Sequence, residues 1–297
     1  MSTIEIVGSG VVGTATGMGL RAHGHDVTFV DSSPERVGVL RERGLQTRLV
    51  SRELQPLPEF TFVAVSAPTG PDGVDITNLR EATARLGRQL RIEGGAEWPV
   101  IVFRCTMPPG TMRKTLIPLL EMTSGLRAGE DFGVVYNPEY LRAVSSEEDF
   151  LHPRLVNVAT LAENDRSHQR AREVLGTFGA DVEWLAIEVA EFHKYVNNVG
   201  NAVKISTYNY FRGLGAAIGL TAQEVDQAFS ASERTAEGLW NPNYGLRDFG
   251  PYGGACLPKD TEGLRIYARR MGHDVTFLDV VQAINDKVAA EQDKLAG

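Results

Sequence analysis

Through the first 186 residues, short β-branched and aromatic runs alternate with amphipathic stretches. That alternation is the sequence form of a mostly parallel sheet covered by helices. Strands are predicted at 4–7, 27–31, 60–65, 100–103, 133–136, 155–159 and 181–185. Beyond Ala186 the period changes: Phe192, Tyr195, Val196, Val199, Val203 and Phe211 recur at helical spacing with no intervening proline, which predicts one long helix over about 188–214. Its apolar faces are expected to pack against a second copy of the chain, giving a homodimer. Thr221 followed by Glu224 has the form of a capping box and opens another helix over 220–230. A loop rich in Gly, Pro and Asn over 238–254 delivers Cys256, and helices are predicted over 261–271 and from 277 onward.

Composition narrows the class. The chain has 297 residues, 42% of them hydrophobic, enough for a large core. A net charge of -8 argues against a surface that neutralises nucleic-acid phosphates. No run approaches the roughly 20 apolar residues of a membrane helix, and MSTIEIVGSG passes straight into a strand. A soluble, cytoplasmic protein binding neither nucleic acid nor membrane is expected. In that compartment Cys105 and Cys256 are reactive or buried thiols rather than a bridge.

The first strand runs into Gly8, Gly10 and Gly13, the G-x-G-x-x-G spacing, with Val11 and Val12 opening the following helix. Such glycines allow a tight turn and let backbone N–H groups approach a pyrophosphate. The second predicted strand ends at Asp31, where a carboxylate accepts hydrogen bonds from ribose hydroxyls and favours NAD over its 2′-phosphate form. Arg36 lies near enough to blur that choice, and an ordinary strand–turn–helix remains the alternative. Residues 1–186 are therefore expected to form an NAD-binding Rossmann domain, doubly wound and α/β. Residues 187–297 are expected to form a helical domain built on the long central helix.

Lys194 and Asn198 are four residues apart and share a helix face. Together they suit a developing oxyanion, or else simply a solvated face. Thr106 in RCTMPPGT and Glu139 in NPEYLR follow predicted strands, at the edge where doubly wound sheets bind ligands. A turn cap and a surface charge are the competing explanations. Cys256, in GGACLPKD, is either a nucleophile or a small residue in a turn.

GSGVVG, CTMPPGT, NPEYLR, EFHKYVNN and GGACLPKD, in this order and at comparable intervals, resemble the UDP-glucose/GDP-mannose 6-dehydrogenase family over nearly the whole chain. The resemblance implies oxidation of a sugar C6 alcohol to a carboxylate in two hydride transfers to NAD, through a thiohemiacetal and thioester on Cys256. It implies that Lys194 and Asn198 hold the substrate oxygen, that Asp260 and Thr106 position water, and that Glu139 acts as acid/base. Substrate contacts are further expected from Tyr140, Leu141, Arg234, Tyr252 and Gly253, and cofactor contacts from Thr106 and Lys259. No metal is implied.

Departures cluster around substrate binding. The family usually has a glutamate where Ala143 stands, and Asn-Glu where Asn209 and Tyr210 stand. The loop over 234–253, with Trp240, Tyr244 and Arg247, looks long. The family's further nucleotide-binding-like domain does not appear in this sequence: either the sequence is a piece of a longer chain, or the protein handles its substrate without that domain, in which case a smaller nucleotide or nucleoside substrate is also open, with Tyr208, Tyr210, Trp240 or Tyr244 stacking on a base or simply packing. A single-step oxidation, a redox-neutral epimerisation and a non-catalytic NAD-binding subunit are the alternative outcomes.

Overall fold

The computed structural model describes residues 1–142, 144–217, 219–235, 250–270 and 275–296. Ten strands are described: β1 (Thr3–Val7), β2 (Asp26–Asp31), β3 (Gln46–Leu49), β4 (Phe60–Val63), β5 (Thr69–Gly70), β6 (Gly73–Val74), β7 (Val100–Phe103), β8 (Gly133–Tyr136), β9 (Leu155–Thr160) and β10 (Asp181–Ala186). Eight form one sheet in the order β10-β9-β8-β7-β4-β1-β2-β3. Neighbours pair in parallel, except β8 and β9, which meet antiparallel at Tyr136 and Ala159. The chain starts at β1, builds outward through β2 and β3, then returns to the other side of β1 with β4. That reversal opens a crevice at the carboxyl ends of β1 and β4.

Helices on both faces explain the continuous apolar runs of the central strands. FTFV, VIVF and GVVY are buried at every position. Alternate residues feed opposite clusters: Val100 and Val102 join Ile4, Ile6 and Phe62 on one face, while Ile101 and Phe103 join Val134 and Tyr136 on the other. Strand β3 was not predicted. Its sequence, QTRL, is polar and half-exposed, so it carries no apolar alternation and is held at the sheet edge by pairing with β2.

The chain divides into two compact units, 1–70 with 74–194, and 71–73 with 195–297. The division between these units lies about two turns inside the long helix. The first helices of the first unit are α1 (Val11–Ala22), α2 (Pro34–Glu42), α3 (Thr77–Gln89), α4 (Ile117–Ser124), α5 (Ser146–Leu151) and α6 (Arg166–Leu175). The long helix α7 runs from Ile187 to Ala217, and Ile187 and Ala190 belong to the first unit's second apolar cluster. This packing is why the start of α7 joins the sheet.

The buried face of α7 differs from the apolar pattern. Phe192 and Val196 are 54% and 51% exposed, whereas Glu191, Lys194 and Asn198 are buried. Polar residues thus share the buried phase with Ala190, Tyr195 and Val199. The second unit continues with α8 (Ala222–Thr235), α9 (Leu257–Arg270) and α10 (Thr276–Ala296). Thr221 and Glu224 form the expected reciprocal cap, Glu224 accepting from the Thr221 N–H at 2.7 Å and Thr221 Oγ1 from the Glu224 N–H at 3.3 Å. Ala202, Ile205, Tyr252, Leu257 and Val281 form this unit's apolar cluster. Among the described residues, no helix is long and apolar enough to cross a membrane.

Candidate active site

The glycine turn between β1 and α1 has the shape a dinucleotide needs. Gly8 has φ +93°, and a Cβ there would lie 2.7 Å from Ala64 O. A Cβ on Gly13 would lie 1.8 Å from Gly8 O, whereas one on Gly10 would meet nothing within 4 Å among the described residues. The turn is therefore tight below and open above. No side chain caps the N-terminus of α1, and no acidic residue lies in its first turn, so the amide end of the helix suits an anion. Asp31, at the tip of β2, accepts from the Ser9 N–H at 2.6 Å and the Ser33 N–H at 2.8 Å. Each carboxylate oxygen keeps a further lone pair for a ribose hydroxyl. Arg36 Nη1 donates to Ser9 O at 3.3 Å, which fixes the guanidinium on the glycine turn. The turn, the bare helix end and Asp31 together fit the adenosine diphosphate half of NAD.

The first unit also holds a buried polar cluster beyond the carboxyl ends of β7 and β8. Glu139, in the loop after β8, is 5% exposed rather than a surface charge. Its Oε2 accepts from the Leu141 N–H at 2.7 Å, and its Oε1 accepts from Lys194 Nζ at 3.2 Å. Lys194 Nζ also donates to the Glu139 carbonyl. Next to this pair, the Tyr140 hydroxyl lies 2.7 Å from both Asn157 Oδ1 and His193 Nδ1. Given to Asn157, its single proton leaves the oxygen to accept from a His193 Nδ1–H. Burial pushes the Tyr140 phenol upward, and the Glu139 carboxylate adds to the shift.

Arg104 and Asn137 complete this cluster. Arg104 Nη1 donates to Asn137 Oδ1, and Asn137 Nδ2 donates to Asn157 O at 2.7 Å. Burial lowers the Arg104 guanidinium to about 10, against the opposing charge of Glu139. Thr106 follows in the same loop and is half-buried. Cys105 is buried, with its thiol directed at Val65 O, 3.1 Å away. It packs at the strand end, in the second apolar cluster.

The second unit places Cys256 differently from the expected loop. Helix α9 begins at Leu257, and the Asp260 N–H donates to the Cys256 carbonyl at 2.8 Å, so Cys256 occupies the N-cap position. LPKD can turn at once because Pro258 lies within the first turn, where its missing N–H costs no helix bond. The thiol is half-buried at the positive end of a helix dipole, which favours a thiolate. Asp260 is 1% exposed. Its Oδ1 accepts from Lys259 Nζ at 2.5 Å, and its Oδ2 accepts from Asn198 Nδ2. Asn198 is buried and amide-paired rather than solvated, and its Oδ1 accepts from Asn197 Nδ2 at 3.2 Å.

Tyr252 is 2% exposed, and its hydroxyl donates to Gln282 Oε1 at 3.1 Å. Its ring is an anchor inside the second unit's apolar cluster, so the expected substrate contact at Tyr252 does not come from an open ring face. Gly253 is exposed, and among the described residues Pro251 O alone comes near its Cβ position, at 3.9 Å. Tyr208 is 4% exposed and packs edge-on to Phe229, ring centroids 4.2 Å apart. Base stacking by Tyr208 is therefore replaced by internal packing. Ala143, Trp240, Tyr244 and Arg247 lie outside the described residues, as do the side chains of Tyr210 and Arg234.

Several site-forming residues were not singled out from sequence. His193, Asn157, Arg104 and Glu191 all hold or neighbour the predicted groups. Glu191 is fully buried, and its carboxylate accepts from the Gly110 N–H at 2.5 Å and the Met112 N–H at 2.8 Å. Burial raises it to about 7, although both amides oppose the shift. Its place three residues before Lys194, in phase with Ile187 and Ala190, is the only sequence signal it offers.

Three family models match the chain. Residues 55–178 match the NAD binding domain of the UDP-glucose/GDP-mannose dehydrogenase family, and residues 188–287 match its central domain. A ketopantoate reductase PanE/ApbA model matches residues 4–74. The GDP-mannose 6-dehydrogenase of Pseudomonas aeruginosa is 29% identical over 289 residues, 90% of this chain and 64% of that protein. The UDP-glucose 6-dehydrogenase AglM of Haloferax volcanii is 28% identical, covering 95% of this chain and 69% of its own length. The chain thus spans about two thirds of the length of these relatives. Among solved structures, a UDP-glucose dehydrogenase from Pyrobaculum islandicum superposes with a TM-score of 0.82 at 25% identity, over 97% of this chain and 68% of that one. The open glycine cradle and the NAD binding domain match together make NAD the cofactor. With its NAD binding and central domains both matched, the chain belongs to the UDP-glucose/GDP-mannose dehydrogenase family.

Proposed function

We propose that the protein is an NAD-dependent dehydrogenase that oxidises a primary alcohol of a nucleotide sugar, or of a related nucleotide or nucleoside, to the carboxylate. The observation that carries this is Cys256 at the head of α9, one turn before a buried Asp260 held by Asn198 and Lys259. A half-buried thiol at a helix N-terminus suits a nucleophile.

NAD, when bound, accepts the hydride in each of two oxidations; the glycine turn, Val11, Val12, Asp31 and Arg36 hold its adenosine diphosphate half, and Thr106 and Lys259 add cofactor contacts. Oxidation of the alcohol removes a hydroxyl proton and a carbon-bound hydride and leaves an aldehyde. The Cys256 thiolate forms a C–S bond to that carbon, and the carbonyl electron pair moves to oxygen, giving a thiohemiacetal. Lys194 and Asn198 stabilise the oxyanion. Loss of the second hydride yields a thioester. Water positioned by Asp260 and Thr106 then attacks, the C–S bond breaks, and the thiolate is restored. Glu139, in contact with the Lys194 ammonium, takes the water proton.

Tyr140, Leu141, Gly253 and Arg234 are assigned to the substrate. We assign the exposed stripe Val189, Phe192 and Val196 on α7 to a homodimer interface, because a solvated apolar stripe at helical spacing is costly in a monomer. Elution as a monomer at micromolar concentration contradicts this. The reducing cytoplasm suits two cysteines that form no disulfide with one another. The function is tested by incubating the chain with NAD and a panel comprising UDP-glucose, GDP-mannose, nucleotides and nucleosides. Two NADH per product and a mass gain of about 14 are expected for alcohol to acid. Loss of about 2 mass units indicates a single oxidation, and an altered stereocentre without net NADH indicates epimerisation.

A further inference from the structure

The chemistry above leaves the fully buried carboxylate of Glu191 without a role. Glu191 sits on α7 between Ala190 and the exposed Phe192, facing the apolar cluster of Cys105, Met107, Met112, Ile187 and Ala190. A buried charge in such a place is costly unless it satisfies groups that nothing else satisfies. Its partners are of that kind. After Pro108 and Pro109, the chain turns at Gly110 with φ +90°. The N–H groups of Gly110 and Met112 point at Glu191 Oε2 and Oε1, at 2.5 and 2.8 Å. The intervening Thr111 N–H instead bonds Pro108 O at 3.1 Å. One side chain of α7 therefore closes the loop that carries Thr106, from a point three residues before Lys194.

We propose that Glu191 is a positioning residue, a two-oxygen clamp that fixes the loop from Arg104 to Met112 against α7 and so holds Thr106 in register for the cofactor. This loop leaves β7 at the carboxyl edge of the sheet, the edge that binds nucleotides in open α/β folds. The cofactor part rests on the NAD-dependent reading. The clamp itself rests only on the two amide bonds. The charges that act on it are Glu188 on α7 and Arg113 on the facing turn. Arg113 pairs with Glu188 at 2.8 Å, outside the clamp.

Carboxylate chemistry explains why glutamine cannot substitute. Two converging N–H donors need two acceptors, and the amide of Glu191→Gln presents one acceptor and one NH2 group. The test is hydrogen exchange of peptides covering Gly110 and Met112 at pH 8, in parallel with NADH titration by fluorescence. In the wild type these two amides are expected to be protected. Glu191→Gln is expected to speed their exchange about tenfold or more and to weaken NADH binding severalfold. Glu188→Gln is expected to change neither. Unprotected amides in the wild type overturn the clamp without any variant, which covers the case in which Glu191→Gln does not fold. Unchanged exchange in a folded Glu191→Gln also overturns it. Faster exchange with unchanged NADH affinity overturns the positioning role. Failure of the wild type to bind NADH, with both amides protected, contradicts the cofactor reading and leaves the clamp standing.

Discussion

Replacing Lys194 with methionine is expected to destabilise the first unit far more than removal of a surface lysine. Lys194 and Glu139 are 2% and 5% exposed and 3.2 Å apart. At an effective dielectric near 20, that distance corresponds to an attraction of about 5 kcal/mol, which offsets the desolvation of both ions. Lys194→Met removes the attraction and leaves Glu139 buried, still bonded to the Leu141 N–H but without its cation. The expected cost is about 3–5 kcal/mol. Glu139→Gln keeps an acceptor for Lys194, whose second bond to the Glu139 carbonyl survives, so a loss of about 2 kcal/mol is expected. Combining the two variants removes both charges, and the double variant is expected to lose about 2 kcal/mol less than the sum. Urea unfolding followed through Trp98 and Trp184, both in the first unit, measures all three. Additivity within about 0.5 kcal/mol, or a Lys194→Met cost below about 1 kcal/mol, refutes the buried-pair account.

Two further predictions concern the cradle and the buried acid. Gly13→Ala places a methyl group 1.8 Å from Gly8 O, so the turn must open; NADH affinity is expected to fall at least about tenfold, and unchanged affinity contradicts the cofactor placement. Glu191, raised by burial from 4.5 to about 7, holds its proton more tightly folded than unfolded. Its contribution is therefore full below about 4.5 and lost as pH rises through about 7, by up to about 3 kcal/mol. Urea unfolding at pH 5 and pH 8 reads that slope, which Glu191→Gln should remove; equal slopes in both proteins contradict it.

The sheet was largely visible in the sequence because buried parallel strands need unbroken apolar runs, as in VIVF and GVVY. Strand β3 was not, since an edge strand needs only backbone pairing. The glycine turn and Asp31 were legible because tight turns and phosphate approach leave few residue choices. The face of α7 was legible in part. Of the apolar positions Tyr195 and Val199 are buried and Phe192 and Val196 exposed, but the burial of Glu191, Lys194 and Asn198 was not foreseen; their bonds to Gly110, Glu139 and Asp260 offset its cost. Such partners come from distant loops and leave no periodic trace. The start of α9 was missed for a related reason: Gly254 and Pro258 look like a turn, yet a proline within the first helical turn is compatible with a helix beginning just after Cys256.

The central claim is that Cys256 forms the covalent intermediate in a four-electron oxidation. The direct measurement is NADH released per molecule of product by wild type and Cys256→Ser, with UDP-glucose and GDP-mannose as probes, together with the intact mass of the wild type quenched during turnover. The account predicts two NADH per product and a sugar-nucleotide adduct on Cys256 in the wild type, with both lost in Cys256→Ser. Full four-electron turnover by Cys256→Ser would contradict it.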